Sequence, residues 1–206
     1  GNINPDLAAY KSVVEKNKNY NVEVKDVHES FMIKKYHLVV CFGIDELPSN
    51  ILNSSTPLMI FSPSSLHYTV LNSAIEFYPS GFTEEVGVYK NYNFSKFSFS
   101  PELRAFISDA PPLLSSFGRY KFENKTDFIL NQRIGVVDSD SPVIMVKDLE
   151  SRKIAFVPAE GWWKWKLHDY LFNSSNIAFD ELFAKLTQYL VLKEDKGLFH
   201  IEYKKQ

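Results

Sequence analysis

A strand, a turn and the start of a helix follow one another within residues 154–170, which read IAFVPAEGWWKWKLHDY and hold all three tryptophans of the chain. Residues 154–157 form a short apolar run typical of a buried strand, residues 158–161 interrupt it, and residues 162–172 have the composition of a helix. In open α/β sheets, ligands bind where strands end and helices begin. The segment therefore predicts an α/β fold and the position of a site, but it names no reaction.

The first third of the chain alternates helix and strand patterns in the same way. Asn4 and Pro5 are suited to begin a helix that extends to about residue 16, and a short helix is expected over residues 66–73. Strand patterns, one alternating and two densely apolar, cover residues 20–27, 36–43 and 56–62. Strands separated by crossover segments predict a doubly wound, mostly parallel sheet.

The middle of the chain has a different pattern, in which short strand-like runs are separated by turn residues. These runs cover residues 85–89, 94–99, 118–123, 128–137 and 142–147. Hairpin turns are expected at residues 138–141 and 148–152, because Asp, Ser and neighbouring polar residues favour tight turns. We therefore expect an antiparallel hairpin elaboration in the middle of the sheet.

A second amphipathic helix is predicted near the end of the chain, beginning at Asn176 or a neighbouring serine and ending at Gly197. Residues 198–203 (LFHIEY) then have a strand pattern with no remaining partner. We expect one domain over residues 1–197, followed over residues 198–206 by the start of a further strand or domain. Gly1 is typical of a residue left by tag removal, so the chain is interpreted as a fragment of a longer protein.

Composition excludes some function classes. A net charge of −2 with interspersed signs predicts no nucleic-acid partner, and no apolar run is long enough to span a membrane. The single cysteine, Cys41, lies within an apolar run and is expected to be a buried, inert thiol. The five histidines lack the spacing of metal ligands, and no glycine-rich phosphate loop is present. We expect neither a metal nor a cofactor.

Four segments resemble the class I glutamine amidotransferase-like fold, which is flavodoxin-like. They are residues 4–20 (NPDLAAYKSVVEKNKNY), 111–120 (PPLLSSFGRY), 160–167 (EGWWKWKL) and 179–196 (FDELFAKLTQYLVLKEDK). More closely, they are similar to a non-catalytic version found in large bacterial membrane-anchored proteins that also carry a von Willebrand factor A-type region. The resemblance implies a strand before the first helix, which is missing here. A tag segment or neighbouring molecule is therefore expected to fill its place, unless the sheet is rearranged.

The resemblance also implies where catalytic residues would lie. An amidotransferase needs a cysteine near residues 62–65 and a histidine after residues 154–157, and neither is present; His168 lies too far into the following helix. We therefore expect a non-catalytic structural or interaction module of a larger cell-envelope protein, on the periplasmic side. Its partners would be other domains of the same parent chain and a protein or glycan ligand, with membrane attachment only through segments outside this fragment.

Two alternatives remain open. A hydrolase could use Ser62, Ser64 or Ser65 together with His67, because a hydroxyl before a helix would lie in the field of the helix dipole. However, serine and proline are also ordinary residues at the start of a helix, and no Gly-x-Ser-x-Gly motif is present.

A carbohydrate- or peptide-binding module could instead use the tryptophan segment. Its binding residues would be Glu160, Trp162, Trp163, Trp165 and Lys166, which could combine stacked rings with cations. The structural interpretation is that the tryptophans wedge the helix against the sheet, with Glu160 satisfying free helix amides or pairing with a lysine.

Overall fold

A computed structural model describes residues 4–26, 28–44, 47–61, 68–70, 75–122 and 126–192. The strands are β1 Val39–Phe42, β2 Leu58–Phe61, β3 Tyr68–Val70, β4 Ile75–Lys90, β5 Leu113–Phe122, β6 Asp127–Ile134, β7 Val137–Asp148, β8 Lys153–Val157 and β9 Ala159–Glu160. The helices are α1 Pro5–Val14, α2 Ser49–Leu52, α3 Pro101–Asp109, α4 Trp162–Asn173 and α5 Ile177–Val191, with a 3-10 turn at Ile33–Lys35.

One mixed sheet organises the described residues, in the order β1-β2-β8-β7-β6-β4-β5-β9, with β3 paired to β4. The pairs β1–β2 and β2–β8 are parallel, and the other pairings are antiparallel. The α/β class and the antiparallel middle are confirmed. A mostly parallel sheet is wrong, because short reversals join β6 to β7 and β7 to β8, and β4 pairs antiparallel with β3, β5 and β6.

Helices cover both faces of the parallel part of the sheet. Met59 and Phe61 of β2 belong to the core beneath α1, α3, α4 and α5, whereas Leu58 and Ile60 belong to the core beneath α2 and the 3-10 turn. Because side chains alternate across a strand, β2 is buried on both sides. This burial explains why its sequence reads as a continuous apolar run.

Several predicted elements differ from the structure. Residues 20–26 are mostly exposed and form no strand, and residues 94–99 form a loop whose Phe94 and Phe99 are buried. Apolar residues can thus enter a core without belonging to a strand. Tyr68–Val70, predicted within a short helix, instead pairs antiparallel with β4, as suits its aromatic and β-branched residues. The rest of residues 62–74 lies outside the described residues.

The β6–β7 hairpin turns earlier than expected. Ile134 pairs with Val137, which leaves Gly135 and Val136 as the two turn residues, and Gly135 has a φ of +60°. A glycine with positive φ at the first central position is typical of a type II′ turn. The predicted turn at residues 138–141 is therefore wrong, whereas the predicted loop between β7 and β8 is confirmed.

Helix α3 was not predicted, although its start has a local signal. The Ser100 hydroxyl accepts a hydrogen bond from the Leu103 amide at 3.0 Å, Pro101 is the first helical residue and Glu102 lies in the first turn. Helix α5 begins as expected but ends at Val191, before the predicted end. Gly197 and residues 198–203 lie outside the described part of the chain.

Strand β1 forms one edge of the described sheet. The amides of Val39 and Gly43 donate to carbonyls of Pro57 and Phe61, so alternate residues of β1 point their backbone groups toward the open side. None of the described strands lies beside it there. The missing first strand was expected to leave an open place in the middle of the sheet, but the described strands pair without such a gap, because β1, β2 and β8 are direct neighbours.

Candidate functional site

The junction between β8 and α4 contains the tryptophan segment. After β8, the chain forms the two-residue strand β9 against β5 and then turns at Gly161, whose φ is +97°. A side chain is strained in this left-handed region, which favours glycine. Helix α4 therefore begins at Trp162, as the sequence predicts.

Trp162 and Trp165 are core residues, with 1% and 0% of their surface exposed. Their rings meet edge to face at 5.0 Å, and Trp162 also packs edge to face against Phe183. Each indole N–H donates to a backbone carbonyl, that of Ala159 or that of Pro111. These two rings wedge α4 against the sheet and cannot contact a ligand, so the predicted cluster of three binding tryptophans is not formed.

The amides at the start of α4 are satisfied by Asp6. Its carboxylate accepts hydrogen bonds from the amides of Gly161 and Trp163, both at 2.9 Å. Burial raises the pKa of Asp6, and these hydrogen bonds oppose the shift. Glu160, which was expected to serve these amides, is not their acceptor. Asp6 thus joins α1 to α4, a role that the sequence analysis missed.

Among the described residues, a small cavity lies at the ends of the parallel strands β1 and β2. Its volume is about 20 Å³. It is lined by Asn4, Asp6, Phe42, Gly43, Phe61, Ala159 and Glu160. This volume is enough for about one water molecule and too small for a substrate. Residues 62–67, which follow β2, lie outside the described part of the chain.

The cysteine and the histidine nearest to an amidotransferase pattern do not form a catalytic pair. Cys41 is buried in the core beneath α2, and burial raises its pKa to about 12. His168 lies on α4, which covers the other face of the sheet, and its ring is next to Phe172 with Asp109 at 3.8 Å. An unionised, enclosed thiol is a poor nucleophile. Ser62, Ser64, Ser65 and His67 lie outside the described residues.

The outer side of α4 is apolar and exposed. Trp163, Leu167 and Tyr170 have 42%, 49% and 56% of their surface exposed, and their spacing places them on one face of the helix. They border a groove of about 410 Å³ between α1 and α4. This α1–α4 groove is lined by Pro5, Ala8, Ala9, Ser12, Trp163, Lys166, Leu167, Tyr170 and Asn176.

Small residues of α1 keep the groove open, because Ala8 and Ala9 leave space that longer side chains would fill. The Lys166 ammonium lies at its base, donates to the Ser12 hydroxyl and lies 5.9 Å from the centre of the Phe179 ring. Lys166 and Trp163, both predicted as binding residues, therefore share one accessible surface. Glu160 lines the small cavity instead.

No protein-family model and no curated protein matches this chain. It is similar to the solved structure of Cytoplasmic Protein STM3548 from Salmonella typhimurium, with a TM-score of 0.56 and 14% sequence identity. The similarity covers 89% of this chain and 86% of that chain. Such low identity supports the mixed α/β fold alone, so the relation to amidotransferase-like domains stays a prediction.

The cell-envelope location also stays a prediction. The similar structure is described as a cytoplasmic protein, which gives that location no support. Within the described ranges, the helices include none that is both long and apolar enough to cross a membrane.

Proposed function

We propose that this domain is a non-catalytic interaction module and that it binds a protein segment through the α1–α4 groove. The observation that carries the proposal is the exposed apolar face of α4 beside this groove. Water-exposed apolar patches of this kind commonly mark binding surfaces. Burying Trp163, Leu167 and Tyr170 against a partner would release ordered water and supply the free energy of binding.

The patch extends beyond the groove. Leu171 has 66% of its surface exposed and lies next to Tyr170 on α4, whereas Phe172, 71% exposed, packs beside His168 on another side of the helix. Aromatic residues are frequent hot spots of binding surfaces, and Trp163 and Tyr170 both border the groove. A single exposed apolar side chain would need no explanation, but four on neighbouring turns of α4 do: Trp163, Leu167, Tyr170 and Leu171.

The enclosed Cys41 thiol supports a non-catalytic role. Among the described residues, the cavity beside Asp6 is also too small for a substrate. In a parent protein of the cell envelope, the groove would bind another domain of the same chain or a separate protein. The hydrolase alternative depends on Ser62 to His67, and activity measurements on the Ser62→Ala, Ser64→Ala and Ser65→Ala variants would test it.

The proposed function is tested with random 12-residue peptides displayed on phage and selected against the whole 206-residue chain. Enriched peptides are synthesised with a fluorescent label, and their affinities are measured by fluorescence polarisation. We expect Leu167→Asp to weaken binding at least tenfold, because it places a charge in the apolar contact. Tyr92→Asp, at an exposed aromatic outside the groove, is the matched control and should leave affinity unchanged.

Circular dichroism melting establishes that both variants are folded. Leu167 is half exposed, so its replacement should affect stability little. Peptides that bind the Leu167→Asp variant as well as the unaltered chain would contradict the proposal, as would a selection that enriches no peptide at all.

A further inference from the structure

The Lys166 ammonium has an unusual position for a lysine on a solvent-facing helix. It is half-buried at the base of the α1–α4 groove, and its hydrogen-bond partner is the neutral hydroxyl of Ser12. That hydroxyl in turn donates to the Ala9 carbonyl at 2.6 Å. Among the residues that the structure describes, none gives Lys166 a carboxylate within salt-bridge distance.

The surrounding charges compensate only in part for this position, because Asp180 attracts the Lys166 ammonium while Lys16 repels it. Asp180 is the nearest acidic influence, but its carboxylate pairs with Lys16, which adds a second positive charge beside the groove. Lys166 is half-buried, and the partial loss of hydration lowers the pKa of its ammonium. Lys164 differs, because it is directed toward Glu85 at 3.5 Å.

A partly dehydrated cation in an apolar groove is complementary to an anion that arrives with apolar neighbours. A carboxylate would replace the lost hydration of Lys166, and flanking apolar side chains would cover Trp163, Leu167 and Tyr170. A purely apolar segment would bury the ammonium further without an acceptor, which is unfavourable. A basic segment would be repelled by Lys166 and Lys16.

On the basis of the proposed function, we infer that the α1–α4 groove recognises a protein segment in which one Asp or Glu lies between apolar residues, and that Lys166 pairs with this carboxylate. The apolar residues provide most of the affinity, and the ion pair selects acidic segments and fixes their position. Lys166 is therefore the residue that determines specificity.

The test uses the peptides selected against the whole chain and compares each with a version in which its Asp or Glu is replaced by Asn or Gln. We expect enriched peptides to contain an acidic residue between apolar ones. Lys166→Met should weaken binding of the acidic peptide about tenfold to a hundredfold, because it removes a partly buried charged hydrogen bond. Methionine keeps an unbranched apolar side chain of similar length and removes the charge.

Three comparisons make the result specific. Lys166→Met should bind the amide peptide as well as the unaltered chain does, and Lys166→Arg should restore much of the affinity for the acidic peptide. Lys164→Met is the matched control on the same helix and should change neither affinity. A coupling below about twofold between Lys166 and the peptide carboxylate would overturn the inference.

Failure of the inference can be separated from failure of the proposed function. Peptides that depend on Leu167 but tolerate Lys166→Met would overturn only the role of Lys166. Peptides that bind the Leu167→Asp variant as tightly as the unaltered chain would contradict both the proposed function and the role of Lys166. A dimer of the chain that Leu167→Asp dissociates, measured by analytical ultracentrifugation, would identify a second copy as the occupant and also overturn the inference.

Discussion

Replacement of Asp6 by alanine tests the contact that joins the start of α1 to the start of α4. The Asp6→Ala variant leaves the Gly161 and Trp163 amides without their acceptor, and the Gly161 contact is fully buried. A buried donor without a partner costs about 1–3 kcal/mol. The Trp163 amide is partly accessible to water, so losing its acceptor costs an amount near the lower end of this range. Removing the partly desolvated Asp6 carboxylate regains some of the lost stability.

We therefore expect the free energy of unfolding of Asp6→Ala to fall by about 2 kcal/mol, within the range known for helix caps. For a chain of this length, that loss lowers the melting temperature by about 4–8 °C. Urea unfolding followed by circular dichroism measures the change. The matched control is Asp109→Ala, because Asp109 is an exposed carboxylate at the end of α3 and should contribute less than about 0.5 kcal/mol.

The pH dependence gives an independent measurement of the same contact. The pKa of Asp6 is raised on folding, so the folded chain holds this proton more tightly than the unfolded chain. The contribution of Asp6 to stability is therefore highest at acid pH and declines as the pH rises from the ordinary aspartate range through the raised pKa. Asp6→Asn should remove this decline. Equal stability losses for Asp6→Ala and Asp109→Ala would refute the capping role.

Two further predictions concern buried side chains. Trp165→Ala should lower the free energy of unfolding by about 3–5 kcal/mol, because it creates a cavity under α4. Trp163→Ala should lower the free energy of unfolding clearly less, as measured in the same urea titration. Equal losses of stability for the two variants would contradict the assignment of Trp165 to the buried face and Trp163 to the exposed face of α4. Cys41 should react with a thiol reagent such as Ellman's reagent at pH 8 only when the chain is unfolded in denaturant. Rapid labelling of the native chain, measured by absorbance, would show that the thiol is accessible.

Local patterns predicted several elements well. The apolar run in β2 and the Asn-Pro start of α1 are signals carried by neighbouring residues, and the structure retains both. The loop at residues 94–99 was misjudged because aromatic residues favour strands locally, whereas here they fill space beside α3 and α5. The turn of the β6–β7 hairpin was misplaced because Asp and Ser are common turn residues. Gly135 instead sets the turn through its backbone conformation.

Local sequence patterns could not predict the candidate surface, because they do not determine which face of α4 packs against the sheet. Helix α4 has apolar residues on two faces, with Trp162 and Trp165 on one and Trp163 and Leu167 on the other. Helical periodicity groups these residues correctly but cannot say which group meets the sheet. The open groove arises only because the small residues of α1 lie opposite α4.

The sequence alone determined the α/β class and the junction between β8 and α4. Those features depend on residue type and on spacing within a few turns. Only the tertiary structure decided that Asp6 caps a helix 155 positions away, that two tryptophans are buried, and that Lys166 lies half-buried in an apolar groove. Each of these depends on which distant elements pack together, since burial and pairing are properties of the assembled fold.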